Sequence, residues 1–408
     1  MRARCLLGVL VLVLVAVVAL RGTATESGVH YTFGTLETLP GHAATEAAHG
    51  VGMAMMELSW AAYEPARDRF DEAYARAARD RLHGYETAGL RVTLGLGLHY
   101  PPDWVLAAPD SRFVDQHGAR SPGVNLVFNQ RLRDLARAYL SRLARDLDLR
   151  RFSAIRLTSG AEPEVLYPAG GSYWAFDPAA QNGPGRPPTL APNPLPGWRP
   201  GDRSVSTADV RRWADWYVRA LADVVTWQMR ELTAAGFTGS YQILTPGVGS
   251  RPAEYDRDIA AYLPDSITGV GAVWHLLYAS LPPDERIVVY VSSMADEPGR
   301  AHTCEPGDRR VPLDDPRTGA WPATRWLARV AGAHGFRLNG ENPGLNQPAR
   351  LNRHYADTSA AGMMTASVRE MVSCGFEGMY WAHDQQLWDG TTAFDRYAAL
   401  IAQANGTQ

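Results

Sequence analysis

Three glutamates stand where they could do chemistry. Glu162 and Glu164 lie two residues apart in Gly160-Ala-Glu-Pro-Glu-Val-Leu-Tyr-Pro168, directly after the apolar run Phe152 to Thr158, and Glu341 lies in Asn339-Gly-Glu-Asn-Pro343 after another short apolar run. Two carboxylic acids facing each other can divide the work of breaking an acetal: one protonates the departing oxygen while the other attacks the anomeric carbon or activates water. Around them in the sequence are groups suited to holding a polyhydroxylated ring. Glu57, His99, Asn339, His383 and Asp384 offer hydrogen bonds, and Trp60, Trp104, Tyr167 and Trp381 offer flat apolar faces.

These residues need elements that bring them to one place. Eight runs read as strands: His30–Gly34, Val51–Leu58, Arg91–Leu98, Phe152–Thr158, Gly239–Thr245, Arg286–Val291, Phe336–Asn339 and Glu377–Trp381. Most are apolar throughout instead of alternating, as strands covered on both faces must be. Between them lie segments of helical periodicity, including Phe70 to Tyr85, Leu132 to Leu147 and Asp209 to Ala234, the last opened by a Ser206/Asp209 capping pattern. Eight repeats of strand and helix predict an α/β protein of the (β/α)8 TIM-barrel type, spanning residues 28–408 as a single domain. In such a barrel the active site gathers at the C-terminal ends of the strands, which is where all the residues named above fall. The stretch Ala169 to Val205 breaks the rhythm with dense Pro and Gly among Tyr173, Trp174, Phe176 and Trp198. It predicts an elaborated loop after strand four, over the barrel mouth.

Other chemistries are poorly supported. The net charge of −3 carries no basic run, which argues against nucleic acid as a partner. No Gly-rich phosphate loop follows a strand, no HExxH or paired-His spacing predicts a metal, and no G-x-S-x-G elbow presents a serine. No cofactor is expected, and the expected partner is a carbohydrate substrate.

Residues 1–27 join a basic start, Met1-Arg-Ala-Arg4, to an unbroken apolar stretch from Cys5 to Leu20. This predicts export, through either a cleaved signal peptide or an uncleaved N-terminal membrane anchor. Cys304 and Cys374 then invite a disulfide. The barrel reading places Cys304 in a loop at the C-terminal face and Cys374 just before a strand, at the opposite face roughly 17–20 Å away. A bridge needs Cα atoms within about 7 Å, so the two are expected to stay apart unless a long loop folds down the outside.

With these residues in view, the chain resembles two groups of barrel glycosidases. Glu57-Leu-Ser-Trp60, Tyr63-Glu-Pro65 and Phe70-Asp71 look like the stretch after strand two in family 42 β-galactosidases and their clan A relatives. That resemblance implies a retaining hydrolase with an acid/base glutamate after strand four, a nucleophile glutamate after strand seven and a tryptophan, here Trp381, beneath the sugar. Ala161 stands where those enzymes carry Asn before the acid. Gly160 through Glu164-Val-Leu-Tyr-Pro168, Gly340-Glu341-Asn342, and His99 with Pro102 and Trp104-Val105 are similar to motifs of β-amylases. This second resemblance implies Glu164 as general acid and Glu341 as general base, with Glu162 as a neighbour that binds a hydroxyl or raises the acid's pKa. Both imply hydrolysis of O-glycosidic bonds in a poly- or oligosaccharide. The alternative is a carbohydrate-binding protein that keeps the barrel without the catalysis.

Overall fold

The computed structural model describes residues 29–297, 303–345 and 347–406. The described residues from Tyr31 onward form one compact unit. The expected leader, Cys5 to Leu20, lies outside the described residues. Among those described, no helix is long and apolar enough to cross a membrane.

Eight parallel strands close into a barrel: β1 (Thr32–Thr35), β2 (Val51–Glu57), β3 (Arg91–Gly95), β4 (Ala154–Leu157), β5 (Ser240–Thr245), β6 (Ile287–Val291), β7 (Arg337–Glu341) and β8 (Gly378–Trp381). Each pairs with its neighbours in sequence, and β8 closes onto β1 through Thr32 opposite Gly378 and Thr35 opposite Trp381. All eight overlap the runs read from the sequence. The main surrounding helices are α1 (Glu72–Thr87), α2 (Gln130–Leu147), α3 (Thr207–Ala234), α4 (Ala323–Ala333), α5 (Met363–Cys374) and α6 (Phe394–Ala404). The start of α3 is fixed by a capping box in which Ser206 and Asp209 satisfy each other's backbone N–H.

Successive strand residues point to opposite faces, and the buried residues divide accordingly. Ala54, Met56, Val92, Leu94, Ile155, Leu157, Ile287, Val289 and Val291 join the large core between strands and helices. Met53, Met55, Leu244, Tyr290 and Tyr380 form a second, small cluster that fills the barrel interior. The strand period carries Glu57 onto the inward face of Met53 and Met55, and puts Arg156, Tyr290 and Glu341 on inward faces of their own strands. Gly34 allows this filling, since a Cβ there would lie 2.6 Å from the Tyr380 ring.

The chain from 158 to 206 contains no strand or helix and is pinned by its aromatics. Tyr173 and Trp198 pack on Trp213 of α3, and Trp216 donates to Ala191 O at 2.8 Å. A two-stranded hairpin, Arg112–Val114 with Arg120–Val124, was not foreseen from the sequence. It is stitched to this loop by Gln116 N to Tyr173 O and Phe176 N to Val114 O.

The expectation for the cysteines is corrected: Cys304 and Cys374 are disulfide-bonded, with Cα atoms 4.9 Å apart. Cys374 ends α5, next to the start of β8, as expected. The long connection between β6 and α4 reaches that end of the helix, where Cys304 N donates to Ser373 Oγ at 3.2 Å. The separation of the barrel faces therefore does not limit a cysteine carried on so long a loop.

Candidate active site

Glu341 ends β7 and its side chain is largely buried. Its Oε2 accepts from Arg156 Nη2 at 2.6 Å and from the Tyr290 hydroxyl at 2.6 Å. The Arg156 guanidinium lies 4.5 Å over the Tyr290 ring. Burial disfavours the charge on Arg156, but Tyr290, Glu341 and Glu57 more than offset it, so the guanidinium stays protonated. Two donors on one oxygen fix the orientation of the carboxyl group, leaving its other oxygen for a nucleophile's or base's work. The following residue keeps the strand end in place: Asn342 Oδ1 accepts from Ala382 N at 3.0 Å and its Nδ2 donates to Ala382 O at 3.2 Å, tying the β7 end to the β8 end.

Glu164 lies beyond β4. Burial is the main cause raising its pKa, and Glu341 and Glu162 raise it further, against lowering by a backbone hydrogen bond and by Arg156. The net direction favours the protonated form that an acid needs. The loop that carries it is fixed from two sides. Thr158 donates through Oγ1 to Glu162 O, and Gln228 of α3 clamps Thr158 by donating to its carbonyl at 2.7 Å and accepting from its N–H at 3.3 Å. Glu162 accepts weakly from Ala169 N at 3.4 Å and lines the same cleft as Glu164.

A third inward carboxyl, Glu57, is pushed up to about 7, chiefly by burial and against the pull of Arg156. Its Oε1 accepts from Gly97 N at 3.1 Å. It lies so close over β3 that a Cβ at Gly95 would fall 1.9 Å from its Oε2. His99, after β3, is pushed down to about 4 by burial and by Arg156, and its Nδ1 has no hydrogen-bond partner. Across the mouth His383 Nδ1 sits 3.3 Å from Glu37 Oε2, and that pairing raises the histidine's pKa. Asn339 lies on β7 on the same face as Glu341, with its Oδ1 accepting from Gly340 N at 2.8 Å.

Other residues expected to touch substrate are placed elsewhere. Trp381 is fully buried, faces the helix layer, and packs on Tyr355 at 4.8 Å, because the strand period turns Tyr380 inward in its stead. Trp60 is fully buried, stacked on Tyr139 and donating to Glu64 Oε2 at 2.9 Å, while half-buried Trp104 donates to Glu64 O at 3.0 Å. Tyr167 is enclosed between Phe128 and Tyr217, with its hydroxyl donated to Tyr217 O. Asp384 is also fully buried. It accepts from Trp388 Nε1 at 2.9 Å and Leu39 N at 2.5 Å and lies 3.3 Å from His42 Nδ1.

His42, Glu46 and Asp384 bring ligand-type atoms within 4.8 Å of one another, the one such group among the described residues. Burial and the neighbouring Asp384 push Glu46 up to about 8, and Thr35 and Trp388 donate to it.

Arg156, Tyr290 and Glu37 were missed from the sequence. For Arg156 a signal existed: it is the lone charge in an apolar strand, and a buried charge must be paired.

The fold is a (β/α)8 barrel with a polar cluster at its mouth. No protein-family model matches the chain, and no curated protein matches it in sequence. In three dimensions it is similar to the catalytic domain of β-amylase from Paenibacillus polymyxa, with a TM-score of 0.61 at 14% identity over 92% of this chain and 99% of that one. It is also similar to β-galactosidase from the psychrophilic Marinomonas ef1, with a TM-score of 0.56 at 13% identity over 92% of this chain and 59% of that one. A third neighbour is the polyextremophilic β-galactosidase of the Antarctic haloarchaeon Halorubrum lacusprofundi, with a TM-score of 0.56 at 12% identity over 92% of this chain and 57% of that one. The chain thus spans less than three fifths of the galactosidases it matches. Both groups resembled in the sequence are among its structural neighbours, and at these identities the likeness is one of fold.

Proposed function

We propose that this protein is an exported glycoside hydrolase that cleaves O-glycosidic bonds, with Glu164 as general acid and Glu341 as nucleophile or base. The observation that carries the reading is the differing surroundings of the two glutamates. Burial and like charge favour the proton on Glu164, while Arg156 and Tyr290 both donate to Glu341. A carboxyl that favours its proton beside one anchored by two donors suits the two roles of acetal hydrolysis. Glu57, Glu37, His99 and His383 supply the polar side of the mouth, suited to sugar hydroxyls. Export, by cleaved leader or by membrane anchor, rests on residues 1–27 and belongs to the same proposal.

Incubation with a panel of aryl glycosides and oligosaccharides, followed by NMR of the first-formed anomer, tests the reading. Release of a reducing sugar that fails in Glu164→Gln and Glu341→Gln supports it. The second reading, a binding protein on this scaffold, is favoured by Ala161 standing where the resembled galactosidases carry Asn before the acid. It predicts glycan binding of equal affinity in all three forms with no sugar released.

A further inference from the structure

Next to Glu164 the mouth opens into a cleft of about 450 Å³ between the segments that follow β4 and β5. Its side chains are mostly aliphatic: Leu166, Pro246, Val248, Ile267 and Val270. Val248 and Ile267 are 49% and 38% exposed, among the few large apolar side chains left to solvent. The ionisable groups on its lining are Glu162 and Glu164, both acidic, and no basic side chain is among the lining residues. The walls are preformed. Tyr167 N donates to Val270 O at 2.9 Å and Ser266 N to Gly171 O at 3.2 Å. The segments touch so closely at Gly269 that a Cβ there would fall 2.2 Å from Gly171 O.

We infer that this cleft receives the leaving group of the substrate, and that the leaving group is an uncharged, apolar alcohol of the aryl or alkyl kind. The inference rests on the proposed role of Glu164. The acid must face the departing oxygen, so the room that adjoins it, on whose lining none of Glu37, Glu57 and His383 stands, is where the departing alcohol lies. A further sugar in that room would need partners for three or more hydroxyls and a flat ring to stack on. The cleft offers Ser266 and Glu162 as polar side chains, and the ring of its one aromatic, Tyr167, is already stacked between Phe128 and Tyr217. An anionic alcohol would find acidic Glu162 and no cation on the lining. Aliphatic walls of this extent, within the range of about 300–1,000 Å³ that encloses a small organic ligand, favour a hydrocarbon surface. The substrate expectation is thereby narrowed from a poly- or oligosaccharide to a glycoside of an apolar alcohol.

The probe is 4-methylumbelliferone, the free alcohol without a sugar, whose binding is followed by saturation-transfer NMR to the wild type, to Val248→Asp with Ile267→Asp, and to Glu341→Gln. The expected result is saturable binding to the wild type and to Glu341→Gln, weakened roughly tenfold or more in the Val248/Ile267 double variant. Both replaced side chains are partly solvent-exposed, and an unchanged circular dichroism spectrum shows that the variant folds. No saturable binding to the wild type, or equal binding to the double variant, overturns the inference. A parallel comparison of methyl, octyl and 4-methylumbelliferyl glycosides separates it from the hydrolase reading. Alcohol binding without cleavage of any glycoside sinks the hydrolase and leaves the apolar cleft. Cleavage with kcat/KM equal for methyl and octyl glycosides does the reverse.

Discussion

Replacing Arg156 by Met keeps most of the volume and removes the cation on which the inward carboxyls depend. The Arg156 and Glu341 side chains are 10% and 12% exposed, and their contact is 2.6 Å. Unit charges about 4 Å apart at an effective dielectric near 20 attract by about 4 kcal/mol, and breaking a buried pair by removing one partner costs about 3–5 kcal/mol. Glu57 is pushed up to about 7 by burial while Arg156 pulls it down, and the substitution removes that pull. With Arg156 gone Glu57 binds its proton more tightly when folded, so the penalty is largest at high pH and is relieved as Glu57 protonates. Urea denaturation of wild type and Arg156→Met, compared at about pH 8 and about pH 5, is expected to show a loss of about 3–5 kcal/mol at the higher pH and a clearly smaller loss at the lower. A loss below about 1 kcal/mol at both values, or a larger loss in acid, would refute the assignment of this pair as the electrostatic centre of the mouth.

Three further outcomes are expected. Glu164→Gln should lower kcat/KM by roughly 10²–10⁴ on alkyl glycosides and far less on dinitrophenyl glycosides, whose leaving groups need no proton; equal losses on both would remove Glu164 from the role of acid. Reduction of the Cys304–Cys374 bond, which spans 70 residues of sequence, should cost roughly 4 kcal/mol and lower the melting temperature in a calorimetric scan with reductant. Glu46, raised from an ordinary 4.5 to about 8 by burial and Asp384, holds a proton in the folded state that the unfolded chain has released. Its contribution is full below the ordinary value and is lost as pH rises through about 8, so Glu46→Gln should flatten the pH dependence of stability over that window.

The barrel was legible because strands covered on both faces must be apolar along their length, and eight such runs separated by helical periods admit few other folds. The same property hid the orientation of individual side chains. Where both faces are apolar the alternation vanishes, so Trp381 reads as a residue of the mouth although Tyr380 is the one that turns inward. Polar residues in strands are better guides: Glu57 and Glu341 were found because each ends an apolar run. Arg156 stands inside one and was passed over, though a lone buried charge has to meet a partner. The hairpin had a local signal in Asp115-Gln-His-Gly118, where Gly118 takes a positive φ of 88°. The disulfide was signalled by the two cysteines but not by their places in the barrel, because the path of the long connection after β6 is set by where it packs and not by its own sequence.

The role of Glu341 is decided by the initial rate of glycoside hydrolysis in wild type and Glu341→Gln at equal concentration, each shown to be folded. Turnover by the wild type on at least one aryl glycoside is expected, with a loss of several orders of magnitude in the variant. Hydrolysis by Glu341→Gln at the wild-type rate, or no cleavage by either protein while both bind glycan equally, would contradict that role.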